Sequence, residues 1–262
     1  AAIQINYLGY FGTTGIPAMD FWLGDNNLFP RTLQQWHSEN IYRLPRCFLA
    51  WKPHPELPEA NIEVQEAEKG EIRFGCFNHL RKLSNPTLSC WNSILSKIPN
   101  SRLVLKAPGF EDVMAVSLLK RRLINAGLDL ERIDFLPFAS TVNDHLSQYR
   151  YIDIALDPFP NGGCTTTAEA LWMGVPVITL EGTSYVSRMS TAVLHGAGLN
   201  QWIAKNIQEY IEIALQHSSD LLNLRKERDF WRKHLRDSEL GDASGLMYSL
   251  EDAFHHMHIG FD

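Results

Sequence analysis

From residue 72 onward, short apolar runs alternate with longer stretches whose apolar positions recur at helical spacing. Residues 72–77, 102–106, 133–136, 152–156 and 177–180 have the length of buried strands. Between them the spacing predicts helices over about 86–97, 113–126 and 144–149, and one starting at Thr166. Pro86 suits a first helical turn and Gly127 stops its helix. Strict alternation of this kind predicts a parallel sheet covered on both faces, an α/β fold. Further helical segments are predicted over about 187–195, 207–217, 221–235 and 246–258. Before residue 72 the pattern is different. Ile3, Ile5 and Tyr7 alternate with Gln4 and Asn6 as in a strand, and short apolar runs follow at 21–23 and 47–51. Pro53, Pro55 and Pro58, followed by Glu59, Glu63, Glu66, Glu68 and Lys69, read as a polar linker and a domain boundary.

Composition narrows the class. The 262 residues, 45% hydrophobic and 21% charged, suffice for one large or two modest domains. The net charge of -6, with no basic run to offset it, argues against nucleic acid or an anionic membrane as the main partner. Cys47, Cys76, Cys90 and Cys164 form no C-x-x-C pair, which fits free thiols in a reducing compartment. No apolar run reaches membrane-spanning length, so a cytoplasmic location is expected.

The richest chemistry lies in 157–176, DPFPNGGCTTTAEALWMGVP. It follows a predicted buried strand and opens a helix, so it sits at the carboxyl end of a strand, where open α/β sheets bind ligands. Gly162 and Gly163 permit close backbone approach, and the amides and hydroxyls of Thr165, Thr166 and Thr167 stand at the positive end of a helix dipole. The plainer reading is a helix start, with Thr166 and Glu169 as a capping box and Gly174 then Pro176 as the stop. Capping leaves the GG-x-TTT excess unexplained. The loop LGYFGTTG at 8–15 also follows a strand, as either a tight turn or a ligand loop. Asp153 and Asp157 are not a D-x-D metal motif, and His255, His256 and His258 read as a solvated tail rather than a metal site.

Several segments occur together and in one order: LGYFGTTG, RLPRCFL at 43–49, FGCFNHLRK at 74–82, VNDH at 142–145 and the 157–176 stretch. This set resembles the O-linked N-acetylglucosamine transferase and SPINDLY family, glycosyltransferase family 41, over nearly the whole chain. The resemblance implies a two-lobed GT-B fold. Residues 1–66 would end the acceptor-side lobe, 67–240 would form the Rossmann-like nucleotide-sugar lobe, and 241–262 would return as a helix across both. It implies an inverting glycosyltransferase that moves N-acetylglucosamine or fucose from UDP-GlcNAc or GDP-fucose to Ser and Thr hydroxyls of proteins, without a metal or other cofactor. The acceptor-lobe histidine and the tetratricopeptide repeats that hold protein acceptors would lie upstream of Ala1, making the chain part of a catalytic unit.

Residue by residue, Lys82 is similar to the lysine that meets the donor diphosphate, a role suited to a compact cation. Asn78, Ala139, His145, Gly163, Thr165, Thr166 and Glu169 fall where the family binds the nucleotide sugar, with Thr165 and Thr166 at the phosphates and Glu169 at the ribose hydroxyls. Gly9, Gly12 and Thr13 would face the acceptor and sugar. Where the N-acetylglucosamine transferases have His and Asp, this chain has Cys164 and Glu169; Ser140-Thr141 and Gln148 replace a lysine and an arginine. Those departures look more like the SPINDLY branch and its GDP-fucose donor. Two other readings are a nucleotide-sugar-binding regulatory module without turnover and a transferase to a non-protein acceptor.

Overall fold

The computed structural model describes residues 2–52 and 70–259. The predicted linker and the boundary placed within it lie outside the described residues. The first unit is a three-stranded parallel sheet of β1 (Ile5–Asn6), β2 (Phe21–Asp25) and β3 (Asn40–Leu44), in that order. The alternation from Ile3 yields only a short pairing, because the chain turns at Leu8, whose φ is 25°. The apolar run at 47–51 is not a strand. Its amides are spent elsewhere: Cys47 N–H donates to Glu239, Phe48 N–H to Asp25 and Trp51 N–H to the Leu240 carbonyl. β3, which the apolar pattern did not mark, takes the third place instead.

The second unit alternates as predicted: β4 (Ile72–Cys76), α1 (Asn85–Lys97), β5 (Ser101–Leu105), α2 (Val113–Asn125), β6 (Ile133–Phe135), α3 (Val142–Ser147), β7 (Ile154–Leu156), α4 (Thr165–Trp172) and β8 (Val177–Leu180). There follow α5 (Met189–Gly196), the short β9 (Ile203–Ala204), α6 (Ile207–Ser218), α7 (Leu221–Lys226), α8 (Arg228–Arg236) and α9 (Ala243–Ile259). The helix ends obey local chemistry. Ser84 caps α1 with Pro86 in its first turn, Asp112 caps α2, and Gly127 leaves α2 with φ 87°. The helix predicted over 221–235 breaks at Glu227, which lets the buried Arg228 guanidinium reach the Tyr149 and Ile152 carbonyls.

The six strands run parallel in the order β6-β5-β4-β7-β8-β9. Every residue of β4 is buried, as expected for a sheet with helices on both faces. Strand order reverses between β4 and β7, and the crevice beyond their carboxyl ends is where such a sheet binds ligands. The first sheet leans on this unit through Trp22, whose ring stacks on Tyr185 at 4.7 Å, and through Arg188, which donates to the Asn27 carbonyl. α9 then covers the first sheet: Leu246, Ala253 and Met257 pack with Leu23 and Leu44. Burying side chains of this size contributes roughly 1.5–3 kcal/mol each for Leu and Met. Among the described residues, no helix is long and apolar enough to cross a membrane.

Candidate active site

Asp157, the first residue after β7, organises the crevice. Its buried side chain accepts from the Gly163 amide at 2.7 Å and from Thr179 Oγ1 at 2.8 Å, and Asn78 Nδ2 approaches it at 3.4 Å. Burial pushes this carboxyl above the usual range, opposed by hydrogen bonds from Ser190, Thr179 and Gly163. The loop from Pro158 therefore curls over the carboxylate instead of running outward. It is also tied to the start of α1, because the Phe159 carbonyl accepts from Ser84 Oγ at 2.6 Å and Thr87 Oγ1 at 2.7 Å.

Crowding explains the paired glycines. A Cβ on Gly162 would lie 2.5 Å from Asp157 Oδ2, and one on Gly163 would lie 2.6 Å from both Thr166 Oγ1 and Thr167 Oγ1. α4 begins immediately after them with Cys164 as its N-cap residue, which offers no side-chain cap. The capping box of the plainer reading is therefore absent: Thr166 sits inside the first turn and donates to Asn78 Oδ1 at 3.1 Å, while Glu169 meets His145. The amides of Thr165 and Thr166 belong to that first turn, whose leading N–H groups have no intrahelical acceptor. Burial pushes the Cys164 thiol up to about 12, so it stays protonated.

Two clusters face the crevice. In one, Lys82 Nζ donates to the Gly162 carbonyl at 2.6 Å and to Asn78 Oδ1 at 3.2 Å. Asn78 thus joins Lys82, Thr166 and Asp157. In the other, His145 Nε2 lies 3.1 Å from Glu169 Oε2, and Lys106 Nζ lies 2.5 Å from His145 Nδ1. Burial lowers the Lys106 ammonium to about 8 against the pull of Glu169. Thr166 and Glu169 are three residues apart on one face of α4, so that helix carries a member of each cluster.

The structure therefore brings Lys82, Asn78, His145, Gly163, Thr166 and Glu169 to one crevice, with Thr165 exposed at the helix start. Ala139 lies half-buried in the loop between β6 and α3. Gly9, Gly12 and Thr13 belong to the first unit and share no hydrogen bond with the 157–169 stretch among the described residues. The Gly12 carbonyl accepts from Asn6 Nδ2 at 3.0 Å, and Thr13 Oγ1 donates to the buried Glu39 at 2.7 Å. Sequence reasoning missed Lys106, Asp157 as an anchor, and Glu39. The signal for Lys106 was a charge at the end of a predicted strand, directly after the apolar run Leu103-Val104-Leu105; Asp157 and Glu39 had none beyond standing at strand ends. The histidines at the C-terminus lie on exposed turns of α9. Among the described residues no group of His, Cys, Asp and Glu is arranged to hold a metal ion.

Residues 64–249 match the model of glycosyl transferase family 41. The chain is 34% identical over 257 residues to the probable UDP-N-acetylglucosamine-peptide N-acetylglucosaminyltransferase SPINDLY of Petunia hybrida, covering 98% of the chain and 28% of that protein. It is 30% identical over 202 residues to the UDP-N-acetylglucosamine-peptide N-acetylglucosaminyltransferase of Caenorhabditis elegans, covering 75% and 17%. The chain thus spans well under a third of the length of these relatives. A mutant of the Thermobaculum terrenum O-GlcNAc transferase superposes with a TM-score of 0.86 at 38% identity, covering 97% of this chain and 48% of that one. A TarM mutant of S. aureus shares the fold, with a TM-score of 0.58 at 9% identity over 90% of this chain and 44% of that one. The α/β architecture is thus of the GT-B type, and the chain belongs to glycosyl transferase family 41.

Proposed function

We propose that the crevice between β4 and β7 binds a nucleotide sugar, and that the protein to which this chain belongs transfers the sugar from UDP-GlcNAc to Ser or Thr hydroxyls of peptides. The observation that carries this reading is the placement of Lys82 on the Gly162 carbonyl, beside the first-turn amides of α4. A cation and a helix N-terminus converging on one loop form a site for a diphosphate. In the reaction, the acceptor oxygen forms a bond to the anomeric carbon as the bond from that carbon to the diphosphate oxygen breaks, which inverts the centre. Negative charge grows on the departing diphosphate, and Lys82 with the Thr165 and Thr166 amides stabilises it most in the transition state. Glu169 and His145 hold the ribose, Ala139 lends its backbone to the base, and Gly9, Gly12 and Thr13 face the sugar and acceptor.

The relatives' names support uridine as the base and a peptide as the acceptor; GDP-fucose has no such support. The same reading divides the chain into an acceptor-side part at 1–66, a donor lobe at 67–240 and a returning helix at 241–262. It places the protein in the cytoplasm, with acceptors held by tetratricopeptide repeats outside this chain. Calorimetric titration of the chain with UDP and GDP tests the donor assignment. UDP is expected to bind more tightly; tighter GDP binding would reassign the base, and binding of neither would remove the nucleotide site.

A further inference from the structure

We propose that Lys106 is a positioning residue of the donor site, which fixes the tautomer of His145 and through it the orientation of Glu169. This rests on the nucleotide-sugar reading of the crevice. Lys106 directly follows β5, its amide donates to the Cys76 carbonyl at 3.1 Å, and the residue is only 3% exposed. Its Nζ lies 2.5 Å from His145 Nδ1, 3.3 Å from the His145 carbonyl and 5.2 Å from the Phe77 ring centroid. An ammonium has only donors, so Nδ1 must accept, and the neutral ring then carries its proton on Nε2. That N–H faces Glu169 Oε2 at 3.1 Å.

The consequence is a directed chain from Lys106 through His145 to Glu169. It holds one carboxylate oxygen of Glu169 from the protein side and leaves Oε1 without a hydrogen bond among the described residues, the arrangement a ribose diol requires. A structural role alone explains this poorly. A buried ammonium is costly unless paired, and a carboxylate in direct contact would pair it better than an imidazole does. Placing the histidine between the two charges sacrifices that pairing and gains a fixed ring orientation.

The test uses the 262-residue chain and its K106M, K106Q and K106R variants, with UDP as the probe. Nitrogen-15 NMR of His145 reports the tautomer, and NMR titration reports UDP affinity. The wild type is expected to show the Nε2–H form. K106M and K106Q should shift His145 toward a mixture of tautomers and weaken UDP on the order of tenfold, the effect of losing one hydrogen bond to a charged group. K106R, which also offers only donors, should restore both. Should K106M fail to fold, K106Q carries the same comparison, since glutamine presents an acceptor as well as a donor. Unchanged tautomer and affinity in the folded variants overturn the role of Lys106. Absence of UDP binding in the wild type overturns the site reading instead, while the tautomer measurement still reports the link between Lys106 and His145.

Discussion

Lys82 Nζ and the Gly162 carbonyl oxygen are 2.6 Å apart, across the point where strand order reverses. The lysine comes from the turn after β4 and the carbonyl from the loop after β7, so two separate crossovers fix one cation. Such preorganisation costs little at the moment of reaction. For the proposed transfer by the protein to which this chain belongs, Lys82→Met is expected to lower kcat by about 10²–10³, with a smaller loss of donor affinity. Steady-state kinetics with donor binding measured separately make the comparison. A kcat within a few-fold of wild type would return Lys82 to the status of a structural tie between two loops.

Glu169→Gln is expected to behave oppositely. Glu169 meets His145, and in the proposed role it holds the ribose, a part of the donor that does not react, so its loss should raise KM for the donor and leave kcat nearly unchanged. Removing a charged hydrogen-bonding partner corresponds to about 1.5–3 kcal/mol, or roughly 10–150-fold in KM. Because Cys164, and not Thr166, is the N-cap, no capping loss accompanies it. A kcat that falls in step with kcat/KM would place Glu169 at the reacting centre.

Much of this was legible in the chain itself, and the exceptions share a cause. Apart from the two-residue β9 and the break at Glu227, strands and helices of the second unit follow from apolar spacing because each is buried by its neighbours in a regular way. β3 escaped notice because four of its five residues are only partly buried or exposed, so its pattern is weak. The run at 47–51 is apolar like a strand, but its backbone partners, Asp25 and Glu239, are far away in sequence. The site divides in the same way. Lys82 and the GG-x-TTT loop stood out by residue type, while Lys106 became visible only when β5 was placed beside α3. Thr166 and Glu169 have the spacing of a cap, and only the fold shows that their partners are Asn78 and His145.

Gly163→Ala tests the packing account of the loop. The added methyl carbon would stand 2.6 Å from two threonine hydroxyls and 3.1 Å from Asp157 Oδ1, and those groups are already engaged with Asn78, Ser190 and the loop itself. The variant is expected to lose about 1–3 kcal/mol of stability in urea unfolding, together with UDP binding. Wild-type stability and affinity in this variant would show that the loop has room the geometry denies.

Metal dependence offers a separate check on how the diphosphate charge is met. If Lys82 and the α4 amides neutralise it, the proposed transfer by the protein to which this chain belongs should survive EDTA within about twofold, in contrast to enzymes whose divalent ion polarises the leaving group. Loss of activity in EDTA, restored by Mn²⁺ or Mg²⁺, would assign that charge to an ion.

Glu39 gives the Thr13–Thr14 loop a pH dependence whose sign is fixed. Its buried carboxylate accepts from the Thr14 amide at 2.6 Å, the Thr14 hydroxyl at 2.7 Å and the Thr13 hydroxyl at 2.7 Å. Burial alone would raise its pKa, but these hydrogen bonds outweigh burial and hold it at about 2, below its ordinary 4.5. A carboxylate whose pKa is depressed in the folded state contributes stability that is complete above the unfolded value and is lost as pH falls from about 4.5 to about 2. At about 1.4 kcal/mol per pH unit, a shift from about 4.5 to about 2 corresponds to roughly 3.5 kcal/mol at neutral pH. Urea midpoints of the chain and its Glu39→Gln variant, measured from pH 7 to pH 2, make the test. The variant should be the less stable at pH 7, and the gap should close progressively below pH 4.5. A gap that stays constant across that window would mean that Glu39 is held by packing and not by its charge, and that the Thr13–Thr14 loop is anchored without it.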